Sequence, residues 1–317
     1  MNFTTINDPD YPNWHGDTFI LESWVPGHNL WISSGVHGNE IWPIKALEEL
    51  IDWEDTPIKG KIIAVPSWNP LAVHHRLRDI ESRDLNRMFW NPEDGTFDQN
   101  ETFSKERRRA EFLKNLMQRE KPSHIIDLHS LSGKSRVPFL YCQNDSSKIA
   151  FATQLGVSHI VIWWANLAKV LQSKWISRAL RPWLADYGNS VWAIALTFEA
   201  GTHDSPDAQK NTRKFLANTL AVLGMSGVQK IEPIDAVDTI MIDMVDVHIG
   251  KDSSSVRFEW VIDPVNFMQF HETTIVARDA WEDIFMTPWM VLVQPKAIGA
   301  MKPWEEAFFI WKLRESI

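Results

Sequence analysis

The sequence predicts an α/β protein with a mixed, largely parallel sheet flanked by helices, followed by a smaller C-terminal β-rich domain. Three observations carry this. Strand-like runs, among them Leu30-Trp31-Ile32, Ser123 to Ile126 and Ser190 to Phe198, each lead into a short polar motif. Segments with helical spacing lie between them, as in a sheet covered by helices. After about Gly227 the texture changes to short alternating segments that read as antiparallel strands. The expected division is an α/β domain over 1–227 and a β-rich domain over 228–317.

Composition bounds the function classes. A chain of 317 residues with 44% hydrophobic content can bury a large core. Its formal net charge of −9 gives no electrostatic footprint for nucleic acid or an anionic membrane. An anionic substrate must then be gathered by local arginines. The single cysteine, Cys142, excludes an intrachain disulfide and reads as a small buried residue. No targeting segment is evident at the start, and no stretch supplies the roughly 18 apolar residues of a spanning helix. The expected location is the cytoplasm, and a homo-oligomer is compatible with the sequence.

Taken in order, residues 1–16 read as an arm, because Asp8 to Asn13 is dense in turn formers. Strands follow over 18–24 and 29–34. Pro43 lies in the opening turn of a helix whose apolar positions are Ile44, Leu47, Leu50 and Ile51. A strand over 61–66 precedes a long aperiodic segment, 67–102; such a segment inside a compact domain is usually functional or disordered, and Asp84-Leu85-Asn86-Arg87 within it selects the functional reading. Ser104 opens a charged helix to Glu120, with Phe112, Leu113, Leu116 and Met117 as its buried stripe. The run Lys105, Arg107, Arg108 and Arg109 reads as a solvated face.

Past the strand that ends at His129, the loop 131–136 reads as a solvated turn, with Lys134 and Arg136 as alternative sources of positive charge. A strand covers 159–164. The region 169–187 reads as mostly helical, with Lys174, Arg178 and Arg181 as further carboxylate-binding candidates. Ser205-Pro206-Asp207 is a helix start, and that helix runs to about Leu223. His203 reads as a loop histidine, with a proton shuttle as the alternative. His74, His75, His248 and His271 show no ligand-like partners. The 17 tryptophans read as packing residues rather than a stacking surface.

The chemistry concentrates at three strand ends. Gly35-Val36-His37-Gly38-Asn39-Glu40 puts an imidazole and a carboxylate on one tight turn. Alone, such a pair is most often a surface histidine beside a solvated glutamate. Hydrolytic zinc sites commonly take two histidines and one glutamate, so a second histidine is expected at another strand end. Asp127-Leu128-His129 offers it, 92 residues after His37, a spacing long enough for an intervening βαβ unit. Glu199 stands where a general base is wanted. Open α/β sheets bind ligands outside the carboxyl ends of their strands. Arg87, a flat bidentate fork, and the Asn86 amide suit a carboxylate.

Together, Gly35 to Glu40, Asn69-Pro70, Asp84-Leu85-Asn86-Arg87, Asp127-Leu128-His129 and Glu199-Ala200-Gly201 resemble, in order, the succinylglutamate desuccinylase and aspartoacylase family. That family is a branch of the zinc carboxypeptidase fold. The resemblance implies one zinc ion per chain held by His37, Glu40 and His129, with Glu199 as the catalytic base. It implies substrate-carboxylate binding by Asn86 and Arg87, and cleavage of the amide bond of a small anionic N-acyl amino acid. It also implies an arginine that polarises the scissile carbonyl. Its expected position falls on Asp79, so Arg78 is assigned by a one-residue shift, with Arg76 as the alternative. The C-terminal domain is implied to wall off the groove. A carboxypeptidase acting on short peptides and a non-catalytic binding protein are the other readings.

Overall fold

The computed structural model describes residues 2–11, 17–51, 58–81, 83–89, 104–135, 137–163, 183–226, 234, 239–250, 258–279, 282–296 and 306–314. Arg136, Lys174, Arg178 and Arg181 lie outside them, as does the expected domain boundary at 227.

In chain order the first elements are strands β1 (Asn2–Ile6), β2 (Thr18–Glu22) and β3 (Asn29–Ser33), helix α1 (Ile41–Ile51), β4 (Lys61–Val65), α2 (Pro70–His75) and α3 (Lys105–Glu120). Then come β5 (His124–Leu131), β6 (Phe139–Gln143), α4 (Ser146–Ala152), β7 (His159–Trp163), α5 (Leu184–Val191), β8 (Ile194–Thr202) and α6 (Asp207–Val222). The last part holds β9 (Ile240–Ile249), β10 (Glu259–Trp260), β11 (Met268–Gln269), β12 (Thr274–Asp279), β13 (Glu282–Met286), β14 (Met290–Val293) and β15 (Glu306–Leu313). One large sheet has the order β1-β2-β4-β3-β5-β8-β6-β7-β9-β15-β14-β11, and β10-β12-β13 form a smaller one. The fold is thus mixed α/β.

The centre of the large sheet, β4-β3-β5-β8, is parallel. Both of its faces are covered, which is why these strands read as continuous apolar runs. Side chains alternate across the sheet. Leu30 and Ile32 therefore join Ile126, Leu128, Leu196 and Phe198 in one core, where Phe198 stacks on Phe215 of α6 with ring centroids 4.0 Å apart. Trp31, Ile125 and Ala195 face the opposite core with Leu113 and Met117 of α3. The large sheet is continuous across residue 227, because β7 pairs with β9 in parallel and β9 with β15 antiparallel.

Local chemistry sets the helix starts. The Ser104 hydroxyl accepts from the Arg107 N–H at 3.1 Å, and the Asn69 side chain accepts from the Ala72 N–H at 3.1 Å ahead of Pro70. At the start of α6, Ser205 accepts from the Asp207 N–H.

Three expectations change. Residues 2–6 form an edge strand against β2 rather than part of an arm, since Phe3, Thr4, Thr5 and Ile6 favour extended backbone and the turn formers begin after them. Ser190 and Val191 end α5 rather than begin a strand. The basic run of α3 is not a uniformly solvated face. Lys105 and Arg108 are exposed, but Arg107 and Arg109 are buried. Arg109 donates to Asp8 at 2.8 Å and to the Ser67 and Trp68 carbonyls at 3.0 Å each, which satisfies a guanidinium that burial would otherwise forbid.

At the start of β5, His124 is buried between His28 and Phe151, with ring centroids at 5.0 Å and 4.8 Å. Burial, reinforced by the charge of His28, pushes its imidazole down to about 4. The unfolded chain, with a value near 6.5, then binds more protons than the folded one between the two values. Stability from this residue is present above about pH 6.5 and is lost as pH falls toward about 4. Allowing for solvent screening, we expect a loss of about 1–2 kcal/mol, read by urea unfolding at both ends of the window. His124→Gln should flatten that dependence, and an equally steep loss in the variant would contradict the assignment.

Candidate metal centre and active site

The loop after β3 is shaped by two glycines. Gly35 has φ +67, and a Cβ there would lie 2.9 Å from the Pro66 carbonyl oxygen. A Cβ on Gly38 would lie 2.0 Å from the Ala72 backbone, so only glycine lets α2 pack onto the turn. This packing turns His37 and Glu40 inward, with exposures of 4% and 2%. They are not a surface pair.

Strand pairing brings the remaining groups alongside. Ser33 on β3 pairs with Asp127 on β5, and His129 on β5 pairs with Glu199 on β8. His37 Nδ1 lies 2.6 Å from Glu40 Oε1, and His129 Nδ1 lies 3.2 Å from Glu40 Oε2. The Ser130 N–H donates to the same Oε2 at 2.9 Å. The distal nitrogens also face carboxylates: His37 Nε2 is 3.3 Å from Asp84 and His129 Nε2 is 2.8 Å from Asp127.

These residues fit a metal. One ligating atom from each of His37, Glu40 and His129 lies within 4.8 Å of the others, and all three residues are buried. Two imidazole nitrogens and a carboxylate are a zinc donor set. Carboxylates on the far ring nitrogens, here from Asp84 and Asp127, are what fixes the orientation of metal-binding histidines. Sequence reasoning included both aspartates in its motifs without giving them this role. Asp127, two positions before His129 on one strand face, carried a readable signal; Asp84 comes from a remote loop and carried none.

The electrostatics follow from burial and these partners. Burial alone would raise the Glu40 carboxyl, but the charges of His37 and His129 outweigh it and hold it well below the usual carboxylate range. Burial would lower His129, but the Asp127 and Glu40 carboxylates hold it well above the ordinary histidine value. Asp84 is held low by His37 and Arg78 against its own desolvation. Glu199 behaves in the opposite way. Burial pushes it up to about 8, with Glu40 adding to the rise and His129 opposing it. Its Oε1 accepts from Gln294 Nε2 at 2.9 Å, while Oε2 is buried with no hydrogen-bond partner among the described residues.

A cavity of about 110 Å³ opens onto these groups, room for several water-sized positions and so for a small molecule. Arg78, Asn86 and Arg87 line it, whereas Arg76 ends α2 and does not. Arg78 is half exposed and pairs with Asp84 at 3.2 Å. Asn86 is buried, and its carbonyl oxygen accepts from the Leu184 N–H at 3.2 Å, which leaves its NH₂ to donate. The Arg87 guanidinium sits 5.0 Å from the Trp183 ring centroid. Lys134 also lines the cavity but is paired with Asp263 at 2.7 Å. His203 lines it too, with Nδ1 2.8 Å from the Ser130 hydroxyl, and burial lowers its pKa. From beyond residue 228, Asn266, Gln294, Pro295, Lys296 and Phe309 complete the lining, and sequence reasoning gave none of them a place in the site.

The fold and site define an α/β protein with a buried two-histidine, one-glutamate cluster at the carboxyl edge of its sheet. Residues 26–223 match the succinylglutamate desuccinylase/aspartoacylase catalytic domain, and the chain belongs to that family. It is 38% identical over 102 residues to a probable aspartoacylase of Prochlorococcus marinus (strain MIT 9301), a match spanning 31% of this chain and 33% of that relative. Among solved structures it resembles a succinylglutamate desuccinylase/aspartoacylase from Rhodobacter sphaeroides, with TM-score 0.71 and 13% identity over 94% of this chain and 89% of that one. A succinylglutamate desuccinylase from Silicibacter sp. TM1040 gives TM-score 0.69 and 19% identity over 94% and 88%. The product-bound ectoine utilization protein EutE (DoeB) from Ruegeria pomeroyi gives 0.68 and 16% over 94% and 89%. At these identities the likeness is one of fold.

Proposed function

We propose that the protein is a zinc-dependent amidohydrolase that cleaves the amide bond of a small anionic N-acyl amino acid, releasing a carboxylate and a free amino acid. One observation carries the reading: the buried convergence of His37, His129 and Glu40 beside a Glu199 carboxylate that has one unpartnered oxygen. Family membership supports the reaction class.

His37, Glu40 and His129 would hold the zinc ion, with Asp84 and Asp127 fixing the two rings. Zinc bound there supplies Lewis acidity, which acidifies water and polarises a carbonyl. Glu199 accepts the proton of the attacking water at Oε2. That oxygen is buried and has no hydrogen-bond partner among the described residues, so it is the atom placed to take the proton. The same carboxyl then delivers that proton to the leaving amine. Asn86 and Arg87 bind the substrate carboxylate, and Arg78 stabilises negative charge on the carbonyl oxygen. Residues after 228 line the cavity; in this reading they wall off the groove, which would favour an acyl amino acid over a peptide. No helix among the described residues is long and apolar enough to cross a membrane. A cytoplasmic location is part of the reading.

Arg87→Ala should raise KM for a carboxylate substrate about 10-fold or more, through loss of a charge-assisted bond, with a smaller change in kcat. An unchanged KM would mean that the carboxylate binds elsewhere. The reaction itself is tested by amine release from N-acetyl and N-succinyl amino acids and a blocked dipeptide, using zinc-loaded protein. Cleavage of the N-acyl amino acids is expected. Cleavage of the dipeptide alone would make the protein a peptidase, and cleavage of none would overturn the substrate class.

A further inference from the structure

The feature that neither the family motifs nor the proposed reaction absorbs is the contact between Glu199 and the chain beyond residue 228. Gln294 Nε2 donates to Glu199 Oε1 at 2.9 Å across 95 positions of sequence. Gln294 follows β14 in a left-handed conformation, φ +50, which a side-chain-bearing residue adopts only when its surroundings enforce it. Those surroundings are specific. The Gln294 N–H donates to the side-chain oxygen of Asn266 at 2.8 Å, and Asn266 is buried. The Asn266 N–H donates in turn to the Lys134 carbonyl at 2.8 Å, and its side-chain NH₂ donates to the Ser135 hydroxyl at 3.2 Å. A Cβ on Gly133 would lie 2.0 Å from the Pro295 carbonyl oxygen, so the loop after β5 and the segment after β14 meet backbone to backbone. The strained turn is clamped to the rim of the cavity from two sides, and its side chain reaches one oxygen of the buried carboxylate.

We infer that Gln294 is a positioning residue for Glu199: its amide holds Oε1 and fixes the carboxylate rotamer so that Oε2 is the oxygen presented to the reacting water. The inference rests on the reading of Glu199 as the base. A carboxylate bound at one oxygen keeps a single orientation, whereas one with two free oxygens samples several, and misplacement of a base lowers turnover without changing ground-state binding.

The test is a double-mutant cycle on the zinc-loaded protein with an N-acyl amino acid, using Gln294→Met, which keeps length and removes the donor, and Glu199→Gln. Gln294→Met should lower kcat about 10-fold or more with KM and zinc content within twofold of wild type. In the Glu199→Gln background, under single-turnover conditions, it should cost nothing further, because the group it positions is gone. An equal loss in both backgrounds would assign Gln294 a general structural role and overturn the inference. So would a raised KM with unchanged kcat, which would make it a substrate contact. Full activity of Gln294→Met beside a dead Glu199→Gln overturns the inference alone. An active Glu199→Gln overturns the base assignment and the inference with it.

Discussion

Glu199→Gln should lower kcat by about 10²–10⁴-fold while leaving zinc content and KM near wild type, as expected for loss of a general base that does not hold the metal. The size follows from position. Glu199 lies beside His129 in the sheet register, is buried, and has an oxygen with no partner among the described residues. Such an atom is costly unless a ligand or water fills the role. Glutamine preserves the shape and the Gln294 contact geometry but cannot take a proton. Stopped-flow or steady-state amine release with metal analysis on the same samples reads the effect. Near-normal turnover would remove Glu199 from the chemistry.

The largest effect on stability is expected at Arg109. Arg109→Ala should cost about 3–5 kcal/mol in urea unfolding, because it leaves the Asp8 carboxylate buried without its cation and two carbonyls without a donor. The Ser67 and Trp68 carbonyls belong to the segment that enters α2, and α2 packs on the His37 turn, so the loss should also loosen the metal loop. Arg108, one residue earlier, is the control. It pairs with Asp10 in solvent, and its replacement by Ala should change stability by less than about 1 kcal/mol. Equal effects at the two positions would contradict the difference in burial that separates them.

Arg109 also marks the limit of what the sequence discloses. A basic run at the start of a helix looks like a solvated face, and nothing local distinguishes Arg109 from Arg108. The partner that buries it, Asp8, lies 101 positions away in a stretch that reads as turns. The central strands were legible because burial on both faces writes an unbroken apolar run, and α3 and α6 because Ser104 and Ser205 sit at their starts. The His37 turn was legible because its glycines and its two polar residues are contiguous.

What lay beyond the sequence was assembled across the fold. The pairing of β7 with β9 carries one sheet through the region where the texture changes, and texture reports strand type rather than strand partners. β11 is only two residues long, and β13 carries two acids followed by Ile284, Phe285 and Met286 in succession, so neither gives an alternating pattern. Asn266 and Gln294 belong to loops whose side chains gain meaning only when two clamped turns meet at the cavity. Their spacing from Glu199 is set by topology and has no periodic signature.

The central claim is that His37, Glu40 and His129 form a metal centre, and zinc stoichiometry tests it most directly. Elemental analysis of wild type and His129→Ala, after zinc loading and removal of free metal, should give about one zinc per wild-type chain. The variant should show little bound zinc, with circular dichroism showing that it is folded, since one of three protein ligands is gone. A wild-type protein that takes up no zinc, or a His129→Ala variant that keeps it fully, would contradict the account.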